Sequence, residues 1–180
     1  VDGGIALSRP RIASALERLG GGQPKYVVNT HWHWDHTDSN GWLHEAGATV
    51  VAHPRTLAYL SQRVRVEDWQ HTFDPVPEAA RPTLLVHRPK TLLLGGEQAV
   101  VRPYVASHTD GDLSVQFVRA DVLVTGDTYW NGAYPFIDHV AGGHIDGMIR
   151  AAETSLALAG EDTLIVPGHG PVATRQDLLD

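Results

Sequence analysis

Apolar residues recur at helical spacing from Ser8 to Leu19, where Ile12, Leu16 and Leu19 share one face. Pro10 falls in the first turn and Gly20 supplies the stop, so the pattern predicts an amphipathic helix. Gly20-Gly21-Gly22 and Pro24 predict a turn. Tyr26-Val27-Val28-Asn29 reads as a short buried strand. Asn40 is placed to cap a short helix through Trp42, Leu43 and Ala46 that Gly47 closes. Thr49 to Ala52 predicts a further strand and Pro54 to Gln62 a further helix.

From Arg63 to Arg81 no clear period is legible, and Pro75 and Pro77 interrupt the run; the expectation is a long surface segment near the site or an irregular connection. Strand-like alternation follows over Leu84 to His87, Thr91 to Leu94, Ala99 to Val105, Leu113 to Val118 and Val122 to Thr125, with a Gly95-Gly96 turn. This predicts a β-meander. Ile145 to Leu158 has helical spacing, Thr163 to Val166 reads as a strand, and Ala173 opens a last helix. Strands and helices thus alternate early, give way to β structure in the middle, and alternate again at the end. No repeat of solenoid period interrupts that order.

Composition narrows the picture. With 180 residues, 42% hydrophobic and 19% charged, the chain has the make-up of a globular protein, and one domain over residues 1–180 is the expectation. The formal charge is -7 and no basic block occurs, which argues against nucleic acid as a partner. No apolar run approaches the roughly 20 residues of a membrane span. Val1-Asp2-Gly3-Gly4 carries no leader pattern, although a cleaved leader would leave no trace; a soluble, cytoplasmic protein is the favoured reading.

There is no cysteine, so disulfides, thiolate ligands and thiol nucleophiles are excluded. Histidine is over-represented, at 11 residues, and five of these fall in three short motifs. The first is His31-Trp32-His33-Trp34-Asp35-His36. Its chance occurrence at this chain's own His and Asp frequencies is on the order of 0.003, so the motif is a specific signal. Two histidines at i and i+2 in an extended turn can converge on one ion, while Asp35 and His36 turn toward a neighbouring point; the motif suits two metals. Further ligands are expected at other strand ends, and three fit: His108 in Ser107-His108-Thr109-Asp110-Gly111-Asp112, Asp127 in Thr125-Gly126-Asp127-Thr128, and His169 in Pro167-Gly168-His169-Gly170.

These motifs, in this order, resemble those of the metallo-β-lactamase superfamily, which carries H-x-H-x-D-H, then a His, then an Asp or Cys, then a Gly-His. The likeness extends from Val1-Asp2-Gly3-Gly4, similar to the family's V-D-x-G, to Gly168-His169-Gly170. It implies an α/β fold, an αββα sandwich, N-terminally truncated because two or three strands usually precede V-D-x-G. An exposed sheet edge would follow, which a homodimer would cover. It also implies two Zn2+, the first held by His31, His33 and His108, the second by Asp35, His36 and His169, with Asp127 bridging them. Trp34 stands where close relatives often have Gly.

The chemistry so implied is hydrolysis by a metal-bridging hydroxide, with Asp35 as ligand and catalytic proton relay. Asp127 favours an ester, thioester, lactone or related bond over a β-lactam, because dedicated β-lactamases of the family often use Cys there. β-Lactam hydrolysis is the second reading, and a di-iron redox protein a third. Tyr129, Trp130 and Tyr134, with Trp34, are candidates for a substrate pocket, weighed evenly against packing roles. Asp110 and Asp112 are candidate acceptors for ligand N–H groups, with turn formation the commoner role. His44, His53, His71, His87, His139 and His144 fall outside the motifs, and His53 is the one to locate relative to the ligands.

Overall fold

The run Val50-Val51-Ala52 is apolar without alternation, and in the computed structural model, which describes residues 1–20 and 22–180, all three side chains are fully buried. Such a run suits a central parallel strand covered on both faces. The chain divides into two compact units, Val1–Leu85 and Val86–Asp180.

The first unit runs α1 (Arg9–Arg18), β1 (Tyr26–Val28), α2 (Trp34–Thr37), α3 (Asn40–Glu45), β2 (Thr49–Ala52), α4 (Pro54–Leu60), β3 (Val64–Val66), β4 (His71–Phe73) and β5 (Leu84–Leu85). Strands β1, β2 and β5 form a parallel sheet in that order, with Val27 opposite Val50 and Val51 opposite Leu84. Val27, Leu43, Ala48 and Val50 make a buried cluster against which Trp42 packs. Helix α1 buries none of its residues fully, and Leu19 is exposed, so its apolar face is only half covered. The turn expected over Gly20-Gly21-Gly22 and Pro24 falls in part on Gly21, which lies outside the described residues.

Three expectations change in this unit. Asn40 is not a cap: Ser39 holds that position, and the Asn40 amide exchanges two hydrogen bonds with the Asn29 amide, both 2.9 Å, tying α3 to the end of β1. A buried amide gains more from a reciprocal partner than from one helix N–H. The stretch Arg63 to Arg81 is not irregular throughout, because β3 and β4 pair antiparallel around a turn at Gln70, whose φ is 49°. Strands of three residues are too short to show alternation in sequence. Leu84-Leu85 belongs to this parallel sheet and not to a meander.

The second unit runs β6 (Lys90–Leu94), β7 (Glu97–Pro103), β8 (Leu113–Phe117), β9 (Val122–Trp130), α5 (Ile145–Leu158), β10 (Leu164–His169) and α6 (Arg175–Leu179). Strands β6 to β9 form an antiparallel meander, and α5 carries the chain over to β10, which lies parallel to β9. Leu123, Ile165, Ala159 and Ala173 form its buried cluster. Strands β9 and β10 both run further than the glycines suggest, since pairing continues past Gly126 and Pro167 with register shifts on β10. Gly126, with φ 57°, marks an irregularity inside a strand and not its end. No helix among the described residues is long and apolar enough to cross a membrane.

Candidate metal centre

The histidine motif begins where β1 ends, at the carboxyl edge of the parallel sheet, where α/β folds place their ligands. His31 lies in the bend that follows β1, and His33 is the residue from which α2 starts. Asp35 and His36 therefore sit in the first helical turn. His31, His33 and His36 are buried, and the His31 ring centroid lies 4.5 Å from that of His33 and 4.2 Å from that of His36. Trp32 packs edge-on against His33, with ring centroids 4.8 Å apart, and joins an aromatic group with Tyr59 and Phe73, whereas Trp34 is 47% exposed.

The segment before α1 fixes two of these rings. Asp2 Oδ2 lies 2.9 Å from His36 Nδ1 and accepts the Thr30 hydroxyl at 2.9 Å, while Asp2 Oδ1 accepts the Thr30 N–H at 2.8 Å. A carboxylate only accepts, so His36 carries its proton on Nδ1. The Thr30 hydroxyl spends its own proton on Asp2, so at 3.1 Å it accepts from His31 Nδ1. One carboxylate thus directs both Nε2 lone pairs away from itself, the arrangement that sets the tautomer of metal-binding histidines. The approach is close: a Cβ on Gly3 would come within 2.8 Å of Ser39 Cβ and 2.9 Å of Leu43 Cδ1.

In the second unit His108 lies in the loop between β7 and β8, Asp127 inside β9, and His169 at the last residue of β10. Asp112 closes the His108 loop by accepting the Ser107 hydroxyl, the Thr109 N–H and the Thr109 hydroxyl, at 2.7, 2.9 and 2.6 Å. Its role is thus turn formation, and Asp110 donates its N–H to the Ala141 carbonyl. His108 Nδ1 donates to the Phe136 carbonyl at 2.6 Å, which leaves Nε2 as its ligand atom.

Three distances carry the fit to metal. Asp35 Oδ2 lies 3.4 Å from His36 Nε2, and Asp127 Oδ2 lies 3.6 Å from His108 Nε2 and 3.4 Å from His169 Nε2. These are long for hydrogen bonds. They match the edge of a tetrahedron whose corners are ligands about 2.1 Å from a common ion, roughly 3.4 Å. His31, His33, His108 and Asp127 each bring a ligand atom within 4.8 Å of the others, and Asp35, His36 and His169 do the same. Five imidazoles and two carboxylates, without thiolate, make a donor set suited to two borderline or hard divalent ions.

The aromatic candidates separate. Trp130 and Tyr134 line a cavity of about 430 Å³ beside the carboxyl-terminal residues, and the Trp130 ring lies 4.7 Å from that of His169. Tyr129 also lines it, but its hydroxyl donates to the Asp177 carbonyl at 3.0 Å and its ring packs on the buried cluster of the unit. Trp34 lines a different cavity, of about 460 Å³, with Trp69, His71 and Phe73. His53 caps α4 by accepting the Arg55 N–H and is not in either donor group. His144 caps α5 in the same way, and His44 and His139 bond backbone carbonyls.

Asp2, Thr30, the Phe136 carbonyl and Trp69 were not legible as site residues. Asp2 lies 29 positions before His31, Thr30 and Phe136 act through ordinary polar atoms, and Trp69 sits in the stretch that lacked a period.

An α/β chain with these two donor groups carries, by class, a dinuclear metal-binding motif. More particularly, it belongs to the metallo-beta-lactamase superfamily, whose sequence profile matches residues 1–169. It is similar to the probable metallo-hydrolase YqgX of Bacillus subtilis (strain 168), 30% identical over 77 residues, 41% of this chain and 36% of that protein. The aligned part therefore spans little more than a third of that relative. Among solved structures it resembles the B3 metallo-beta-lactamase BLEG-1, with a TM-score of 0.78 and 22% identity, over 95% of this chain and 81% of that one. It also resembles TTHA1623 in a di-iron-bound form, with a TM-score of 0.69 and 22% identity, over 93% of this chain and 80% of that one. Likeness at this identity establishes the fold, the αββα sandwich class.

Proposed function

We propose that the chain is a two-zinc hydrolase of an ester, thioester, lactone or related carbonyl bond. The observation that carries this reading is the Asp127 carboxylate, 3% exposed, with Oδ2 at 3.6 Å from His108 Nε2 and 3.4 Å from His169 Nε2. His108 falls in one donor group and His169 in the other, so a single oxygen is placed to serve both. On this reading His31, His33 and His108 would hold the first ion and Asp35, His36 and His169 the second, with Asp127 available to both. When bound, such ions supply Lewis acidity and a water that ionises near neutral pH.

The chain's own residues do the rest. Asp35 is 28% exposed against 3% for Asp127, so Asp35 is the carboxylate that an entering water reaches and can receive its proton. Asp2 and Thr30 hold His36 and His31 in the tautomers that keep Nε2 unprotonated. Asp2→Ala is expected to weaken retention of the second ion by roughly 10- to 100-fold, read as faster loss to a chelator, with a smaller change in melting temperature. Retention equal to wild type would remove Asp2 from this role.

The test is metal analysis of the purified chain with assays on a glutathione thioester, a lactone, a cephalosporin and a phosphodiester. Two zincs per chain with thioester or lactone turnover is the expected result. Two irons without hydrolysis would overturn it, and turnover confined to the cephalosporin would move the reading to β-lactams.

A further inference from the structure

The cavity of about 430 Å³ in the second unit joins two kinds of group that the metal chemistry does not use. One wall is the segment after Asp127, with the rings of Tyr129, Trp130 and Tyr134, and Leu178 adds an apolar side from α6. Tyr134 is 99% exposed. A tyrosine ring left wholly in water beside a cavity forgoes the burial that its aromatic surface offers, and a ligand seated there would recover it.

The second kind of group is acidic. Asp177 and Asp180 line the cavity from the α6 side, and among the described residues no lysine, arginine or histidine lines it. Arg175, on the same helix, donates instead to the Leu156 carbonyl at 3.4 Å. Each carboxylate spends one oxygen on its own segment: Asp177 Oδ2 accepts the Thr174 N–H and hydroxyl, both at 2.7 Å, and Asp180 Oδ1 accepts from Gln176 Nε2 at 2.8 Å. That leaves Oδ1 of Asp177 and Oδ2 of Asp180 for a ligand. The Thr174 N–H, and then its hydroxyl, hold the Asp177 carboxyl below its usual range, so it carries its charge at neutral pH. The charge reaches the aromatic wall, since burial and then the negative charges of Asp177 and Asp180 raise the Tyr129 hydroxyl.

The wall is also held in place. Asn131 donates its N–H to the His169 carbonyl at 2.9 Å and its side-chain amide to the Pro171 carbonyl at 3.1 Å, and the Tyr129 hydroxyl ties β9 to α6 through the Asp177 carbonyl at 3.0 Å. A fixed wall loses little freedom when a ligand is laid on it. Aromatic faces attract cations, carboxylates pair with them, and both disfavour an anion. At about 430 Å³ the cavity falls in the range of small-molecule sites.

We infer that this cavity binds an organic cation, an ammonium group on a small apolar body, with the charge toward Asp177 and Asp180 and the body against Trp130 and Tyr134. Such binding is independent of the hydrolase reading, because every group it uses lies outside the two donor groups. A cation should bind about 10-fold more tightly than a neutral molecule of the same size, the sum of modest contributions from the ring faces and from two exposed carboxylates.

The experiment titrates the purified chain with benzyltrimethylammonium, benzyl alcohol and phenylacetate and follows the Trp130 indole N–H by two-dimensional NMR, the signal being assigned by its loss in Trp130→Phe. The expected order of affinity is the cation, then the alcohol, then the acid. Asp177→Asn combined with Asp180→Asn should bring the cation to within about 2-fold of the alcohol. Asparagine keeps an oxygen for Thr174 and for Gln176, so α6 retains its cap, and the wild-type comparison needs no variant to fold. Equal affinity for all three, tightest binding of phenylacetate, or no movement of the Trp130 signal at millimolar ligand would each overturn the site. A preference for the cation that the double variant leaves unchanged would overturn it as well. None of these outcomes bears on whether the chain hydrolyses a thioester or lactone.

Discussion

Asp35→Ala is expected to lower hydrolysis by on the order of 10³-fold or more and to reduce bound metal from two ions per chain toward one. The size of the effect follows from charge. On the proposed ligand set two divalent ions bring four positive charges, and Asp35 and Asp127 are the only anions among the seven donors. Removing Asp35 leaves Asp127 as the one anion shared by both ions, and their mutual repulsion is then poorly offset. Asp35 is also the more exposed of the two, and hence the one placed to take a proton from water. Asp35→Asn separates these roles, because the amide keeps an oxygen donor of similar shape but can neither carry charge nor accept a proton at neutral pH. It should retain more metal than Asp35→Ala while remaining inactive. Full turnover in either variant, measured on a confirmed substrate, would remove Asp35 from the mechanism.

How much of this was legible in sequence varies with the length over which each signal is spread. Helix α5 and strand β2 were bounded correctly because fourteen residues of helical spacing and an unbroken apolar run are hard to mistake. The β3 and β4 hairpin was missed because three-residue strands carry too few positions for a period, and the same miss hid Trp69. The ends of β9 and β10 were misplaced because glycine was read as a stop, whereas Gly126 and Gly168 lie inside paired strands. The donor residues themselves stood out through a rare residue type at tight spacing. Their supporting partners did not, since Asp2 and the Phe136 carbonyl act through atoms that almost any sequence supplies, brought into place only by folding.

That error about glycine points to the second large effect, Gly168→Ala. Asp127 lies inside β9 and His169 ends β10, and Gly168 lies against the Asp127 carboxylate. A Cβ on Gly168 would overlap Asp127 Oδ1 and come within 2.9 Å of Asp127 Cγ and 2.8 Å of the Gly126 carbonyl carbon. Asp127 cannot step aside as a flexible surface chain could, because it is almost fully buried and its other oxygen lies between His108 and His169. Backbone on one side and a short, enclosed side chain on the other leave the methyl group only the option of forcing β10 from β9. The expected cost is about 3 kcal/mol or more, above the usual range for an added methyl, because overpacking here meets main chain. It should appear as a fall in melting temperature of the metal-free chain. Metal retention should fall too, since any shift that spares the strands displaces Asp127. Gly160→Ala is the control: its Cβ would meet only Thr163 Oγ1, at 3.6 Å, and neither quantity should move appreciably. A Gly168→Ala chain that melts with wild type and keeps both ions would mean that β9 and β10 leave room for a methyl group at the carboxylate, and would weaken the case for Asp127 as the shared ligand.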